Sequence, residues 1–337
     1  MRSVIYHQYG EPAEVLQLTE APDLRQPDAG EVLIRVLSRP VHPGDLLGIR
    51  GRYRAPGNLT PVGPDGARPG FEGMGVVESI GAGVDPVRNL KRGTRVAFFP
   101  ARWAWSEHVL AQAQFVTPVP NDMPDVAAAQ LHVSPLTAVL LARAVQASGA
   151  LPGDVIALSA AGGLVARLTA KLLLTQGYQP VGIVRSQQSI AALSAQLPDM
   201  PFISTEQANW GKHLGALTQG RPVRVALDPV GGRIAGTLAG LLADGGALVS
   251  YGDLSGQPLS LPALSFSARG ISIHGVSVGR WAGLPPEARA ADIATAIELT
   301  RTMRQAFHAA AEYPLEDVAS AVRHAERAGK VGAVLLR

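Results

Sequence analysis

The chain has 337 residues, of which 47% are hydrophobic and 17% charged. This is enough apolar material for packed cores, and the length exceeds that of a usual single core, so we expect a folded protein of about two domains. The formal net charge of only +3 argues against nucleic acid or an anionic membrane as partner. The absence of cysteine excludes disulfides, thiolate zinc sites and a cysteine nucleophile.

The amino-terminal residues lead directly into a β-like segment and lack the apolar stretch of a signal peptide. All apolar runs are interrupted before the roughly 18 residues that would indicate a membrane span. We therefore expect a cytoplasmic protein.

From residue 1 to about residue 121, short apolar runs alternate with Pro and Gly turns, at residues 31–37, 74–80 and 94–99. This pattern predicts an all-β region, with strands and no helices. Residues 54–70 are dense in Pro and Gly, which is typical of a functional loop.

After Pro124 the pattern changes to alanine-rich helical stretches and then to alternating strands and helices. Such alternation predicts βαβ units and a parallel sheet. The tail contains a predicted helix over residues 315–328 and a strand at 332–336, which we expect to return to the first domain. The predicted strands of the sheet are residues 155–158, 180–184, 224–228, 247–251 and 271–278, and the predicted helices are residues 165–176 and 189–196.

The first βαβ turn places Gly162 and Gly163 between a buried strand and the start of a helix. Small residues there allow the backbone to approach a pyrophosphate, whose charge a helix N-terminus favours. A Gly-Gly turn also joins strands to helices for steric reasons alone, and Ala166 stands where the stricter fingerprint has Gly. The turn by itself therefore leaves both interpretations open.

The second strand of this region ends in Arg185, about twenty residues after the glycines. An acidic residue at this place would hold the ribose hydroxyls of NAD, whereas Arg185 can pair with a 2′-phosphate, and Ser186 and Gln187 can add hydrogen bonds. The sequence thus favours NADP(H). The alternative is an exposed arginine at a strand end.

Several characteristic segments follow one another along the chain: Gly30-Glu-Val-Leu-Ile-Arg-Val, His42-Pro-Gly-Asp45, Gly51-Arg-Tyr53, Pro69-Gly-Phe-Glu-Gly-Met-Gly-Val-Val, Ser134-Pro-Leu-Thr-Ala, the Gly162 turn, Leu227-Asp-Pro-Val-Gly-Gly and Tyr251-Gly-Asp-Leu-Ser. Together, in this order, they resemble the zinc-free medium-chain dehydrogenase/reductase superfamily, in particular its quinone oxidoreductase and 2-enoyl thioester reductase branch.

The resemblance implies an α/β protein with two domains, one of which has an active-site cleft that faces the other. Residues 1–122 and 283–337 would form a mostly-β, GroES-like catalytic domain, and residues 123–282 a Rossmann domain with a doubly wound parallel sheet. It also implies a homodimer joined through the strand at residues 271–278, whose alternating apolar residues suit edge pairing.

Zinc-dependent relatives have a cysteine three residues before the aspartate matched by Asp45, and a histidine between the residues matched by Gly70 and Glu72. These positions hold His42 and Phe71 here. Because phenylalanine cannot bind a metal, the sequence predicts no zinc. Zinc-free relatives usually have Asn at the position of His42, which we interpret as a hydrogen-bonding loop residue or a substrate contact.

Tyr53 matches the tyrosine that enoyl reductases use as proton donor or enolate stabiliser, a role that suits metal-free reduction of an activated double bond. The alternative is a loop tyrosine that packs over the pocket. Arg50, Arg52 and Arg54 flank it and are candidates for holding a phosphate or carboxylate of the substrate, as a thioester would require. A solvated basic loop is the competing interpretation.

The segment Gly275-Val-Ser-Val-Gly-Arg-Trp281 resembles an enoyl reductase segment that lies along the nicotinamide, with Val276 and Ser277 in place of bulky aromatics. Trp281 is therefore a candidate substrate contact. The complete set of expected NADP(H)-binding residues is Ser134, Gly162, Gly163, Leu164, Val165, Arg185, Ser186, Gln187, Tyr251, Gly252, Asp253, Leu254, Val276, Ser277 and Val278.

The leading hypothesis is NADPH-dependent reduction of a carbon–carbon double bond conjugated to a carbonyl, in a small-molecule enone or 2-enoyl thioester, with protonation assisted by Tyr53. The second hypothesis is NADPH-dependent quinone reduction, which needs no dedicated proton donor. The third is a nucleotide-binding protein without turnover, because fold does not fix function.

Overall fold

The computed structural model describes residues 1–53 and 61–337, and the chain divides into two compact units. Unit 1 comprises Met1–Val133 and Gly279–Arg337, and unit 2 comprises Ser134–Val278. The division into domains made from the sequence, with boundaries at 122/123 and 282/283, stays a prediction.

The strands are β1 (Arg2–Ile5), β2 (Gln17–Glu20), β3 (Glu31–Pro40), β4 (Gly73–Ile80), β5 (Arg95–Phe98), β6 (His108–Gln112), β7 (Val116–Pro118), β8 (Val155–Leu158), β9 (Gln179–Val184), β10 (Phe202–Ser204), β11 (Val223–Asp228), β12 (Leu242–Ser250), β13 (Ser272–Gly275), β14 (Ala309–Tyr313) and β15 (Ala333–Leu336). The α-helices are α1 (Pro12–Val15), α2 (Pro43–Ile49), α3 (Asp125–Ala128), α4 (Val133–Ala147), α5 (Leu164–Thr175), α6 (Ile190–Gln196), α7 (Trp210–Leu217), α8 (Gly232–Leu241), α9 (Ala263–Ser267), α10 (Pro286–Thr302) and α11 (Val318–Ala325).

Unit 1 is built around a seven-stranded sheet in which β14, β15, β3, β4, β5 and β7 follow one another and β6 pairs with β3. The long strand β3 buries Val32 and Ile34 completely, and these side chains belong to a core with Val96 and Phe98 of β5. The last strand, β15, pairs antiparallel with β3. The predicted return of the tail to the first part of the chain is therefore confirmed.

Unit 2 contains a six-stranded sheet in the order β10-β9-β8-β11-β12-β13, with all neighbouring strands parallel. Numbered from β8, this order is 3-2-1-4-5-6, the doubly wound arrangement of dinucleotide-binding sheets. The predicted α/β class with a parallel sheet is confirmed. In such a sheet, ligands bind beyond the carboxyl ends of the strands where the strand order reverses, which here is between β8 and β11.

The prediction that residues 1–121 contain no helix was wrong, because α1 and α2 lie in this region. Helix α2 begins with Pro43, whose fixed φ suits the first helical position, and Asp45 accepts a hydrogen bond from the His42 N–H at 3.0 Å. The helix has only seven residues, of which Leu46 and Ile49 are buried hydrophobics. A segment this short carries too little periodicity to distinguish it from a loop.

The tail contains more structure than the sequence predicted. The helix expected over residues 315–328 is a 3₁₀ turn, Leu315–Asp317, followed by α11, which ends at Ala325. Helix α10 and strand β14 were not predicted. Helix α10 buries Arg289 and Asp292, so two of its charged residues do not mark a solvent face and its apolar stripe is weak in the sequence.

Candidate active site and cofactor site

In unit 1, the turn that carries Tyr53 is tied to the end of helix α2. The backbone N–H groups of Arg52 and Tyr53 both donate to the Leu47 carbonyl, at 2.9 and 3.3 Å. Gly51 adopts φ +67°, and a Cβ there would lie 2.9 Å from Cγ of Tyr9, so this turn requires glycine. Tyr53 is half-buried and Arg52 is exposed. Arg54 lies outside the described residues.

A histidine and a glutamate form a closely spaced titratable pair at the start of helix α2. Nε2 of His42 lies 2.5 Å from Oε2 of Glu72. Glu72 is 1% exposed, and its Oε1 accepts hydrogen bonds from the N–H groups of His132 and Val133, at 2.7 and 2.8 Å. These two groups lie at the N-terminus of helix α4, where a carboxylate is favoured by unpaired N–H groups and by the helix dipole. Glu72 is thus held from both oxygens.

The surroundings of His42 favour its protonated form. Burial opposes the charge, but the hydrogen bond and charge of Glu72, with Asp45 adding to them, outweigh it and raise the pKa of His42, while Lys330 acts in the opposite direction. Burial raises the pKa of Asp45 to about 7, although His42 and two backbone hydrogen bonds oppose this shift. Burial lowers the pKa of Lys330, whose Nζ donates to the Gly332 carbonyl at 2.7 Å.

Phe71, the residue where zinc-dependent relatives have histidine, stacks on His42 with ring centroids 5.7 Å apart and an interplanar angle of 7°. In the part of the chain that the structure describes, no group of three or more His, Cys, Asp or Glu side chains is placed to hold a metal ion. Hydrogen bonding to Glu72 and stacking on Phe71 anchor His42, and a contact of His42 with substrate stays a prediction.

The structure gives no support to Trp281 as a substrate contact. Its side chain is 2% exposed, and its Nε1 donates to Asp292 at 3.1 Å. The ring packs against Phe99 and Phe115 at centroid distances of 6.1 and 6.4 Å. These contacts are those of a core residue, with its polar atom satisfied by a buried carboxylate.

Arg50 also has a structural explanation. Its guanidinium lies between Glu11 and Glu326, with the shortest contacts at 2.6 and 2.7 Å. Both edges of the guanidinium are occupied, so Arg50 joins the α1 and α11 regions to α2, and its role in holding a substrate phosphate stays a prediction.

In unit 2, the glycine turn lies at the carboxyl end of β8. Gly163 precedes helix α5 as its N-cap and provides no side-chain cap. Its own N–H donates to the Ala160 carbonyl, and Ala160 has φ +48°. The uncapped first turn of α5, which begins with Leu164 and Val165, and the lack of side chains at the glycines fit a dinucleotide pyrophosphate.

The end of β9 bears the three residues expected at the 2′-phosphate. Arg185 and Gln187 are exposed and Ser186 is half-buried. Ser186 Oγ accepts from the Gln188 N–H at 3.3 Å, and the Gln187 N–H donates to Glu206 at 3.0 Å. Among the described residues the guanidinium of Arg185 has no hydrogen-bond or ion-pair partner, whereas the backbone donor of Gln187 is already used.

The remaining expected cofactor residues also lie in unit 2. Tyr251 follows β12, and its N–H donates to the Asp228 carbonyl at 3.0 Å. Burial, with the charge of Asp228, raises the pKa of Tyr251. The Val276 N–H donates to the Ser250 carbonyl at 2.9 Å, so the segments after β12 and β13 are joined. The others are Ser134, which is buried on α4, Gly252 and Leu254, which are exposed, and Asp253, Ser277 and Val278, which are half-buried.

Sequence reasoning missed three polar residues that organise these regions. Glu72 and His132 are sixty residues apart, and Glu72 was named only as part of a segment that carries the resemblance and lacks the zinc-binding histidine. Asp228 accepts from the Gly231 N–H at 2.7 Å and from the Ser159 hydroxyl. The only signal for Asp228 was its place in the Leu227-Asp-Pro-Val-Gly-Gly segment.

Residues 28–121 match the family model described as the alcohol dehydrogenase GroES-like domain. The mitochondrial enoyl-[acyl-carrier-protein] reductase of Caenorhabditis elegans is 30% identical over 287 residues, which cover 83% of this chain and 79% of the relative. No helix of the described residues is long and apolar enough to cross a membrane.

Solved structures agree with this match. The putative NADPH:quinone reductase of Bacillus thuringiensis has a TM-score of 0.87 at 28% identity, covering 99% of this chain and 98% of that one. The Escherichia coli quinone oxidoreductase complexed with NADPH has a TM-score of 0.85 at 22% identity, covering 100% and 99%, and shows the same fold. The expected GroES-like and Rossmann architecture is thereby confirmed, and the chain belongs to the zinc-free branch of the medium-chain dehydrogenase/reductase superfamily.

Proposed function

We propose that the protein is an NADPH-dependent reductase that reduces a carbon–carbon double bond conjugated to a carbonyl. The observation that carries the proposal is the 30% identity, over most of both chains, to an enoyl-[acyl-carrier-protein] reductase. A 2-enoyl thioester or an enone is the substrate class.

The geometry of unit 2 supports NADP(H) as the cofactor. The glycine turn and the uncapped start of α5 can bind the pyrophosphate, and Arg185 stands at the end of β9 where a 2′-phosphate is recognised. The segments at Tyr251 and at residues 276–278 are the candidates for orienting the nicotinamide. The bound cofactor supplies a hydride to the substrate.

Tyr53 supports the reaction class. Hydride addition to the β-carbon of an enoyl group places negative charge on the carbonyl oxygen and leaves the α-carbon in need of a proton. A phenolic O–H can donate a hydrogen bond to that oxygen or deliver the proton, which solvent then replaces. The two backbone bonds to Leu47 limit the freedom of the turn that presents Tyr53.

Quinone reduction is the second candidate, favoured by the likeness to the putative NADPH:quinone reductase of Bacillus thuringiensis. Nucleotide binding without turnover is the third. These functions are separated by NADPH oxidation assays with crotonyl and hexenoyl thioesters, enones and naphthoquinones. Turnover of thioesters or enones supports the proposal, turnover of quinones alone favours the second function, and NADPH binding without oxidation favours the third.

We further propose a homodimer joined through β13. This strand lies at the edge of the six-stranded sheet, and Ile273 on it is 37% exposed. Sedimentation showing a monomer near 35 kDa would contradict the dimer. We also propose the cytoplasm as location, although the curated relatives are named as mitochondrial; fractionation of cells that express the protein tests this.

A further inference from the structure

The region where Arg185 would meet a 2′-phosphate also contains a carboxylate. Glu206 follows strand β10, which lies next to β9 in the sheet. Its Oε2 accepts a hydrogen bond at 3.0 Å from the N–H of Gln187, which lies two residues after Arg185. Glu206 is exposed, and it forms no ion pair with Arg185 among the described residues.

Hydrogen bonds between the two strand ends fix the position of this acid. The Ser204 hydroxyl donates to the Arg185 carbonyl at 2.6 Å and accepts from the Glu206 N–H at 3.1 Å. The amide of Gln207 donates to Oε1 of Gln187 at 2.9 Å. Glu206 is therefore held beside the segment 185–187 by its backbone as well as by its side chain.

A carboxylate and a guanidinium at one ribose site act in opposite directions. An ionised carboxylate only accepts hydrogen bonds, so it attracts ribose hydroxyls and repels a phosphate dianion, whereas a guanidinium attracts the phosphate. Sites for NAD place such an acid at the end of the second strand of the sheet. In this chain that place holds Arg185, and an acid comes from the third strand instead.

We propose that Glu206 is a cofactor-specificity residue that weakens the preference for NADPH and allows NADH to bind as well. This inference rests on the proposed NADP(H) function. It predicts that the protein distinguishes the two cofactors less strongly than Arg185 alone would allow.

The test compares the dissociation constants of NADPH and NADH, measured by nicotinamide fluorescence, for the wild-type protein and Glu206→Gln. Glutamine removes the charge, and its carbonyl oxygen can still accept from the Gln187 N–H. Because the carboxylate repels the phosphate dianion through water-like surroundings, we expect the preference for NADPH to increase by about three- to tenfold at low salt. The increase should shrink at high salt.

Asp199→Asn is the matched control, since Asp199 is an exposed carboxylate in the same unit that precedes β10, at the opposite end of that strand. An unchanged or lowered preference in Glu206→Gln would overturn the inference, as would an equal increase in Asp199→Asn. If the wild-type protein bound neither dinucleotide, the proposed function would fail, and this inference with it. NADPH binding by the wild type with no response to Glu206→Gln would remove the inference alone.

Discussion

Nε2 of His42 and Oε2 of Glu72 are 2.5 Å apart, and the glutamate is held on its other oxygen by two N–H groups at the start of helix α4. Zinc-free relatives usually have Asn at the position of His42. The histidine of this chain therefore introduces a titratable group beside a fixed, buried carboxylate. The arrangement links the protonation state of His42 to folding stability.

The first prediction concerns His42→Asn. The pKa of His42 is raised in the folded protein, so its contribution to stability is present below its ordinary pKa and is lost as the pH rises through the raised value. A charge-assisted hydrogen bond of this kind contributes about 1.5–3 kcal/mol. Urea unfolding at pH 6 and at pH 9 should show that the free energy of unfolding of wild type exceeds that of the variant by more at pH 6 than at pH 9. An equal difference at both values would show that the pair does not titrate in this range.

The second prediction concerns Asp45→Asn. The pKa of Asp45 rises from 3.8 to about 7 on folding because its carboxyl group is buried, so wild type loses stability between pH 4 and pH 7 as the unfolded state ionises first. The full shift corresponds to at most about 4 kcal/mol. Asparagine keeps an acceptor for the His42 N–H. The free energy of unfolding of the variant should therefore increase relative to that of wild type as the pH rises from 4 to 7. Parallel pH profiles of the unfolding free energies would contradict this.

Much of the secondary structure of unit 2 was predictable from the sequence, because a buried βαβ motif has strong local signals. Strand β8 has the predicted bounds, and helix α5 differs from its prediction by one residue at each end. Helix α2 was not predictable in the same way. A proline at the first position and an aspartate at the third indicate a helix only when the residues that follow are known to be helical, and a segment of seven residues is too short for its periodicity to show this.

Sequence reasoning could name candidate site residues where one residue type carries the chemistry, but not where distant residues meet. Tyr53 and Arg185 were named from their chemistry and their place in a motif. The contact of Glu72 with His132 joins residues sixty positions apart, and that of Glu206 with Gln187 joins two neighbouring strands. Such pairs depend on how strands and helices pack, which sequence periodicity does not specify.

The third prediction concerns Arg185→Ala. Loss of a guanidinium–phosphate contact costs about 1.5–3 kcal/mol, which corresponds to about 10- to 150-fold weaker NADPH binding, whereas NADH binding should change little. Titration of both dinucleotides checks this. Lys171→Ala, at an exposed basic residue in the second half of α5, is the control and should leave both affinities unchanged. A similar loss for NADPH and NADH in Arg185→Ala would place Arg185 outside the 2′-phosphate site.

The fourth prediction separates two neighbouring arginines. Arg50 bridges Glu11 and Glu326, so Arg50→Ala should lower the free energy of unfolding by about 1 kcal/mol, as for a partly exposed ion-pair network, with KM for substrates unchanged. Arg52→Ala should raise KM for a coenzyme A thioester if this exposed side chain binds the phosphates. Denaturation curves and steady-state kinetics on both variants check this. A raised KM for Arg50→Ala would show that Arg50 also contacts the substrate.

The fifth prediction concerns Tyr53→Phe. If the phenolic O–H donates to the developing enolate, its removal should lower kcat for enoyl substrates by about 100-fold or more, while the dissociation constant of NADPH stays the same. Tyr9→Phe is the matched control, because the Tyr9 ring packs over Gly51 in the same turn and is expected to act only by packing. Quinone turnover needs no dedicated donor and should persist in Tyr53→Phe. Unchanged enoyl turnover in this variant would remove Tyr53 from the mechanism, and a loss shared by both variants would assign the effect to the packing of the turn.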